Sequence, residues 1–345
     1  MRAVQVVRHG EPAEVVEVRD VEPPDVPDGH VRVAVSAASL NYGDIARCRG
    51  GVASVMGQPP FTLGMDVCGV VESAGAGAEQ WVGRRVVAMA AMSLGGIADL
   101  AIAPVNGVFD APEGLDDVEA AGFLLPYHTT YLALHEKAKL QSGEQLLVVG
   151  GASALGTAAI QLGVHAGAHV SAAAGGAEKG EFCRSLGAEF TIDYTSDDLF
   201  DVVMANTDEH GIDVACDMIG GSNTETVWTA MAWGGRYVPV GFNDDIESGL
   251  TGRPLRKVST GNFSVHGVLL SYNIAPLALR KFGLQPNPPE LGPKVHAALC
   301  DLIASGAIKP IIGRRISVDE VATTLQDHAE RRTTGRSVVD LTIGR

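Results

Sequence analysis

The chain has 345 residues, 46% of them hydrophobic, with 19% charged and a mean hydropathy of +0.14, more apolar material than one ordinary core holds, so two domains are expected. Its 26 Lys and Arg stand against 41 Asp and Glu, a net charge of −15, which argues against nucleic acid or an anionic membrane surface as partner, since both select for basic patches. With no signal-peptide pattern and no apolar stretch near the roughly 20 residues that span a bilayer, a cytoplasmic protein is expected.

Residues 1–120 read as β-rich. Val31 to Ser36 alternates, and Cys68 to Ala74 and Arg85 to Ala90 are strand-like runs bounded by Gly or Pro, as in a compact barrel or sandwich. Leu124 to Lys139 changes to a helical pattern that Ser142-Gly143 ends. From Gln145 strand and helix alternate regularly, with strands near 146–150, 169–174, 190–193, 212–218, 236–240 and 265–270, and with Ser222 as an N-cap. That order implies a parallel, doubly wound sheet. The Pro-rich stretch Gly283 to Pro293 marks a loop, a helix follows over Lys294 to Ser305, and Ser337 to Ile343 alternates like an edge strand returning to the N-terminal barrel. Cys48, Cys68, Cys183, Cys216 and Cys300 are odd in number and widely spaced, which reads as free buried thiols in a reducing compartment.

Inside the alternating region, the apolar run Leu146 to Val149 stops at Gly150-Gly151, and Ala154 to Gly167 reads as a helix. The second apolar run, His169 to Ala174, completes a strand–turn–helix–strand unit of the length that binds a dinucleotide pyrophosphate. Backbone N–H groups at the helix N-terminus would receive phosphate oxygens. In Gly151-Ala-Ser-Ala-Leu-Gly156 a serine takes the second glycine's place, and the Ser153 hydroxyl can itself donate to phosphate. A glycine-rich turn in a sheet without nucleotide is the alternative for this window. The second strand runs out through Ala174 into Gly175-Gly176 without an Asp or Glu to hold the adenosine ribose, which favours NADPH over NADH. Lys179, in the next helix, offers a charge to a 2′-phosphate or is an ordinary solvated lysine.

Several motifs in this order resemble the zinc-independent quinone oxidoreductase branch of the medium-chain dehydrogenase/reductase superfamily. They are Ser39-Leu-Asn-Tyr-Gly-Asp44, Leu63-Gly-Met-Asp-Val-Cys-Gly-Val-Val71, Gly95-Gly-Ile-Ala-Asp99 and Thr129-Thr-Tyr131. The glycine turn with Gln161, Gly187 to Tyr194, Gly235 to Gly241, Leu302 to Ile308 and Gly335 to Val339 continue the series. The resemblance implies a GroES-like barrel over 1–123, completed by 276–345, around a Rossmann domain over 124–275. Zinc alcohol dehydrogenases of this superfamily place a cysteine ligand at the position of Asn41 and a histidine–glutamate pair at Met65 and Asp66. Catalytic zinc needs three protein ligands, with nitrogen or sulfur dominating, so no metal is expected.

By the same resemblance Asn41 and Thr129 would lie near the nicotinamide. Gly151, Ser153, Ala154, Leu155 and Gly156 would cradle the pyrophosphate, and Gly175, Lys179 and Tyr194 would flank the 2′-phosphate. Gly241 and Phe242 would meet the cofactor at the carboxyl edge of the sheet, and Arg336 would approach it from the C-terminal segment. A homodimer is implied too, with Ser264 to Leu270 as its edge strand. The expected chemistry is hydride transfer to a quinone or α,β-unsaturated carbonyl, with Asn41 polarising and Tyr42 donating, and Tyr127 and His128 as weaker donors. Met56, Phe61, Met65 and Met92 are candidates for an apolar lining or for scattered core positions. Enoyl-thioester or other alkene reduction, and a non-catalytic NADPH-binding protein, are the alternative readings.

Overall fold

Period-two burial sets the first strands. In His30–Ser39 the side chains of Val31, Val33 and Val35 are buried while Arg32, Ala34 and Ser36 are half-exposed, the alternation of a sheet with one covered face. The protein is described from a computed structural model covering residues 1–51, 58–221, 223–241, 255–274, 277–281 and 283–343. The expectations for Met56, Ser222 and Phe242 lie outside the described residues.

The strands begin with β1 (Arg2–Val6), β2 (Val16–Asp20), β3 (His30–Ser39), β4 (Phe61–Thr62), β5 (Asp66–Ala74), β6 (Arg85–Met89), β7 (Leu100–Pro104) and β8 (Val108–Asp110). Then come β9 (Gln145–Val149), β10 (His169–Ala174), β11 (Phe190–Asp193), β12 (Ile212–Asp217), β13 (Met231–Pro239) and β14 (Ser264–Val265). The last two are β15 (Ile312–Ile316) and β16 (Arg336–Asp340). Met1–Leu125, Ser271–Ser305 and Pro310–Arg345 pack as one compact unit, and Pro126–Leu270 with Gly306–Lys309 as the other.

The first unit is barrel-like. One sheet runs β15-β16-β3-β5-β6-β8, with β7 also on β3, and a smaller one runs β2-β1-β4. Valines of β1, β3, β5 and β6 share a core with Leu40, Ile45, Leu63, Val339 and Leu341. The C-terminal strand differs from the expected edge: β16 lies between β15, which it pairs in parallel, and β3, which it pairs antiparallel. Every residue of β16 is buried. The strand that covers it, Ile312-Gly-Arg-Arg-Ile316, carries too little apolar alternation to announce itself.

The second unit is a six-stranded parallel sheet in the order β11-β10-β9-β12-β13-β14, the doubly wound Rossmann arrangement. Small residues let the helix Ala154–His165 settle closely on it. A Cβ on Gly163 would fall 2.4 Å from Leu146 Cδ2, and Gly167, with φ +76, ends the helix in the left-handed conformation glycine tolerates. The expected edge strand to Leu270 is reduced to the two residues of β14; Gly267 follows at once, and glycine weakens a strand. No helix among the described residues is long and apolar enough to cross a membrane.

Gly156 is the tightest point of the turn before that helix: an added Cβ would lie 2.2 Å from the Gly150 carbonyl oxygen and 2.6 Å from that of Gly151. Gly156→Ala therefore lowers stability by about 1–3 kcal/mol, although alanine is the better helix former by about 1 kcal/mol. Urea unfolding of the two proteins checks this, and an unchanged or raised midpoint would show the turn to be looser than described.

Candidate active site

In the parallel sheet the strand order reverses on either side of β9, and sheets of this kind bind ligands outside their carboxyl ends at such a point. Gly150 turns the chain there with φ +83, and the N–H groups of Gly150 and Gly151 both donate to the Ala173 carbonyl, at 2.9 and 3.1 Å. Ser153 caps the helix: its Oγ accepts from the Gly156 N–H at 3.1 Å. The N–H groups of Ala154 and Leu155 have no acceptor among the described residues. Two backbone donors and a hydroxyl proton, at the positive end of a helix dipole, suit a pyrophosphate.

At the end of β10, a Cβ on Gly175 would lie 2.9 Å from Tyr194 Oη, so these two predicted residues meet. Asp193 fixes the turn beside them. Its Oδ1 accepts from Gly176 N at 3.0 Å and from Thr195 N and Oγ1 at 3.0 and 2.6 Å, bonds that hold its carboxyl below the usual range, the Thr195 hydroxyl first among them. Lys179 stands half-buried in the first turn of Ala177–Ser185. At the end of β12, buried Asp217 accepts from Ile219 N and Gly220 N, at 2.8 and 2.9 Å, and from the Tyr237 phenol at 2.7 Å. The Gly241 N–H donates to the Asp217 carbonyl at 3.1 Å. Sequence reasoning missed this clamp, whose only signal is a carboxylate closing the apolar run Ile212 to Cys216.

Thr129 and His128 are buried in the helix Leu124–Tyr131. Tyr127 donates its phenol proton to the Lys309 carbonyl at 2.6 Å and accepts from Gln161 Nε2 at 3.0 Å, and burial pushes its ionisation up. It is therefore not an available proton donor. Instead, Tyr127 and Gln161 tie residues 306–309 to this unit, with Lys309 N donating to Gln161 Oε1 at 2.8 Å.

The barrel-like unit holds a second polar group. Asp66, fully buried at the start of β5, faces Arg336 at the start of β16, whose Nη2 lies 3.0 and 3.1 Å from the two carboxylate oxygens. Ser39 Oγ donates to Asp66 at 2.6 Å and lies 2.5 Å from Arg336 Nη2. Asn41 Nδ2 donates to Asp66 at 2.9 Å and to the Ser39 carbonyl at 3.3 Å. Both amide hydrogens of Asn41 are thereby engaged, which leaves its Oδ1 as an acceptor and withdraws the amide from the polarising role expected of it. Tyr42, next along, packs its ring on the barrel core. Phe61 also packs on that core, while Met92 is exposed. Of the described candidates for an apolar lining, Met65 stands next to this group, adjoining Asp66.

Comparison with known proteins agrees with both units. Residues 27–113 match the alcohol dehydrogenase GroES-like domain family, and residues 154–282 the zinc-binding dehydrogenase family. The chain is 30% identical to human quinone oxidoreductase, over 93% of its own length and 92% of that protein's. The chain belongs to the quinone oxidoreductase-like family of the medium-chain dehydrogenase/reductases. A quinone oxidoreductase-like protein 2 homolog of Nematostella vectensis is 28% identical over 98% of this chain and 88% of the relative. The fold matches that of Escherichia coli quinone oxidoreductase complexed with NADPH at a TM-score of 0.84, with 23% identity and coverage of 99% and 100% of the two chains.

The ligand set that the resemblance places in zinc alcohol dehydrogenases at positions 41, 65 and 66 is not reproduced in kind. Asn41 and Met65 bring no thiolate or imidazole, and Asp66 is already neutralised by a buried guanidinium, so the donor set does not fit the metal. Among the described residues no three His, Cys, Asp or Glu side chains are grouped to hold one. Arg336, expected at the cofactor, instead has Nη2 bound inside the barrel and is 4% exposed, because a buried carboxylate requires a countercharge. All five cysteines are free, four of them buried, and burial pushes the Cys48 and Cys68 thiols up to about 12.

His328 lies behind this group, its Nε2 2.9 Å from Ser337 Oγ. Burial, with the Arg336 and Arg314 charges adding to it, lowers its ionisation to about 4 from 6.5. The unfolded chain thus binds a proton between those values that the folded protein refuses, and stability declines as pH falls from about 6.5 toward 4. The loss amounts to about 2–3 kcal/mol. His328→Gln makes the stability–pH curve shallower by that amount over the same interval, measured by denaturant unfolding from pH 7 to 4; superimposable curves would rule His328 out as the source.

Proposed function

We propose that the protein reduces quinones or related α,β-unsaturated carbonyls with NADPH and without a metal. The observation that supports this most is the group at Asn41, in which a carboxamide, a thioether and a guanidinium-bound carboxylate stand where zinc dehydrogenases bring sulfur and imidazole. With no Lewis acid to stabilise an alkoxide, simple alcohols are poor substrates, and conjugated acceptors that spread charge onto oxygen are better ones. NADPH, when bound, supplies the hydride.

The protein's part is to bind, orient and protonate. Gly151, Ser153, Ala154, Leu155 and Gly156 hold the pyrophosphate. Gly175, Lys179 and Tyr194 form the 2′-phosphate end, and Gly241 and Phe242 border the cofactor. Thr129 and the Asn41 carboxamide oxygen receive the nicotinamide's polar groups. Tyr42 donates the proton to the reduced acceptor.

An NADPH-oxidation screen across quinones, enones and enoyl thioesters tests the reading, with quinone or enone turnover expected and unchanged by chelator. Turnover of enoyl thioesters alone would favour alkene reduction, and none at all would leave a binding protein. Lys179→Ala weakens NADPH by about 1–2 kcal/mol, the scale of one charge-assisted contact, with little effect on NADH; a fluorescence titration giving equal affinity for the two cofactors in the parent protein would overturn the preference. Tyr42→Phe lowers kcat by roughly tenfold to a thousandfold, within or below the general-acid range, and leaves cofactor affinity nearly unchanged. Full activity in that variant would assign the proton to water.

A further inference from the structure

Arg47 is a buried cation whose hydrogen bonds are unmade. It lies in the helix Tyr42–Cys48 that follows Asn41, with a side chain 8% exposed. Its Nε and Nη1 are buried without a hydrogen-bond partner. Such donors have lost their water without gaining a bond in return, and buried polar groups are rarely left so. The countercharge is Asp44, whose Oδ1 stands 3.7 Å from Arg47 Nη1, an ion-pair distance but no hydrogen bond. Asp44 is otherwise engaged, its Oδ2 accepting from Asn41 N at 2.8 Å. Burial also pushes its carboxyl up, against the pull of Arg47, which weakens it as a counter-ion.

The guanidinium is placed beside the Asn41 group. A Cβ on Gly43 would fall 3.2 Å from Arg47 Nη1 and 3.3 Å from Met65 Sδ, and Met65 directly precedes the Asp66 that holds Asn41. Gly43 and Met65 are both half-exposed. Arginine presents its N–H groups in a planar fork that matches the two oxygens of a carboxylate or sulfonate. In a chain of net charge −15, a buried cation whose Nε and Nη1 lack hydrogen-bond partners would select ligands by sign.

We propose that Arg47 is a specificity-determining residue that makes the site prefer acceptors carrying a carboxylate or sulfonate. This rests on the reading that Asn41 marks the reacting end. The test compares 1,4-naphthoquinone with 1,4-naphthoquinone-2-sulfonate as acceptors. Arg47→Met should lower kcat/KM for the sulfonate at least tenfold more than for the neutral quinone, mainly through KM, and Arg47→Lys should restore part of the difference. Equal losses on both would overturn the proposal. Where Arg47→Met alone fails to fold for want of a partner for Asp44, the Asp44→Asn/Arg47→Met double variant replaces it. Binding of 2-naphthoate against 2-naphthamide by calorimetry separates the two readings. A naphthoate preference of tenfold or more that vanishes in the variant upholds Arg47 even without turnover, whereas quinone turnover without that preference upholds the reductase and sinks the anion site.

Discussion

The barrel-like unit depends on one buried ion pair. Asp66 opens β5 and Arg336 opens β16, and both are buried. Removing a carboxylate and a guanidinium from solvent costs several kcal/mol each unless they meet in good geometry with their remaining bonds satisfied. Ser39 at the end of β3 and Asn41 just beyond it supply those bonds to Asp66. Three strands are thereby pinned at one point, and the C-terminal strand cannot leave the sheet without stranding a charge. The same carboxylate fixes which way the Asn41 carboxamide faces. One interaction between residues 270 positions apart closes the sheet and orients the group at the proposed reacting end.

Much of the second unit was legible because its signals are local. The apolar runs that became β9, β10 and β11 end at glycines or at a carboxylate, and the serine in the turn acts as the helix cap its residue type favours. In the first unit the relevant signals are long-range. β16 reads as an edge because its cover, β15, exposes two arginines, and those are balanced by acids on other elements: Arg315 reaches Asp340 and Arg314 reaches Asp327. Nothing within Ile312–Ile316 states that. Arg336 was placed at the cofactor by resemblance, and only its burial against Asp66 moves it into the barrel. Arg47 carried no signal at all, since a lone arginine in a short helix reads as a solvated one until its surroundings are known.

Asp66 sets a structural problem at the start of β5. A carboxylate buried there must be compensated. A neighbouring dication can do this, but here the compensation comes from Arg336, and the positions that would complete a metal site carry an amide and a thioether. The exchange alters what the site can stabilise. Arg336 Nη2 is committed to Asp66 and Ser39 inside the barrel, which supports the proposed preference for acceptors that disperse their own charge.

The proposed NADPH is polyanionic, and an acidic protein that is to hold it needs local positive potential without a basic surface. The turn before Ala154–His165 provides it from the backbone. Ser153 satisfies one first-turn donor, Gly156, and leaves its neighbours, Ala154 and Leu155, without an acceptor among the described residues. These are partial charges fixed by the helix, so they act at short range and in one direction and hardly change the field farther away. Lysine or arginine at the same place would attract anions generally, whereas directed N–H groups favour a ligand whose oxygens fit. Gly156 makes this possible, because any side chain there would push the turn off the Gly150 and Gly151 carbonyls and spoil the aim of the two free donors.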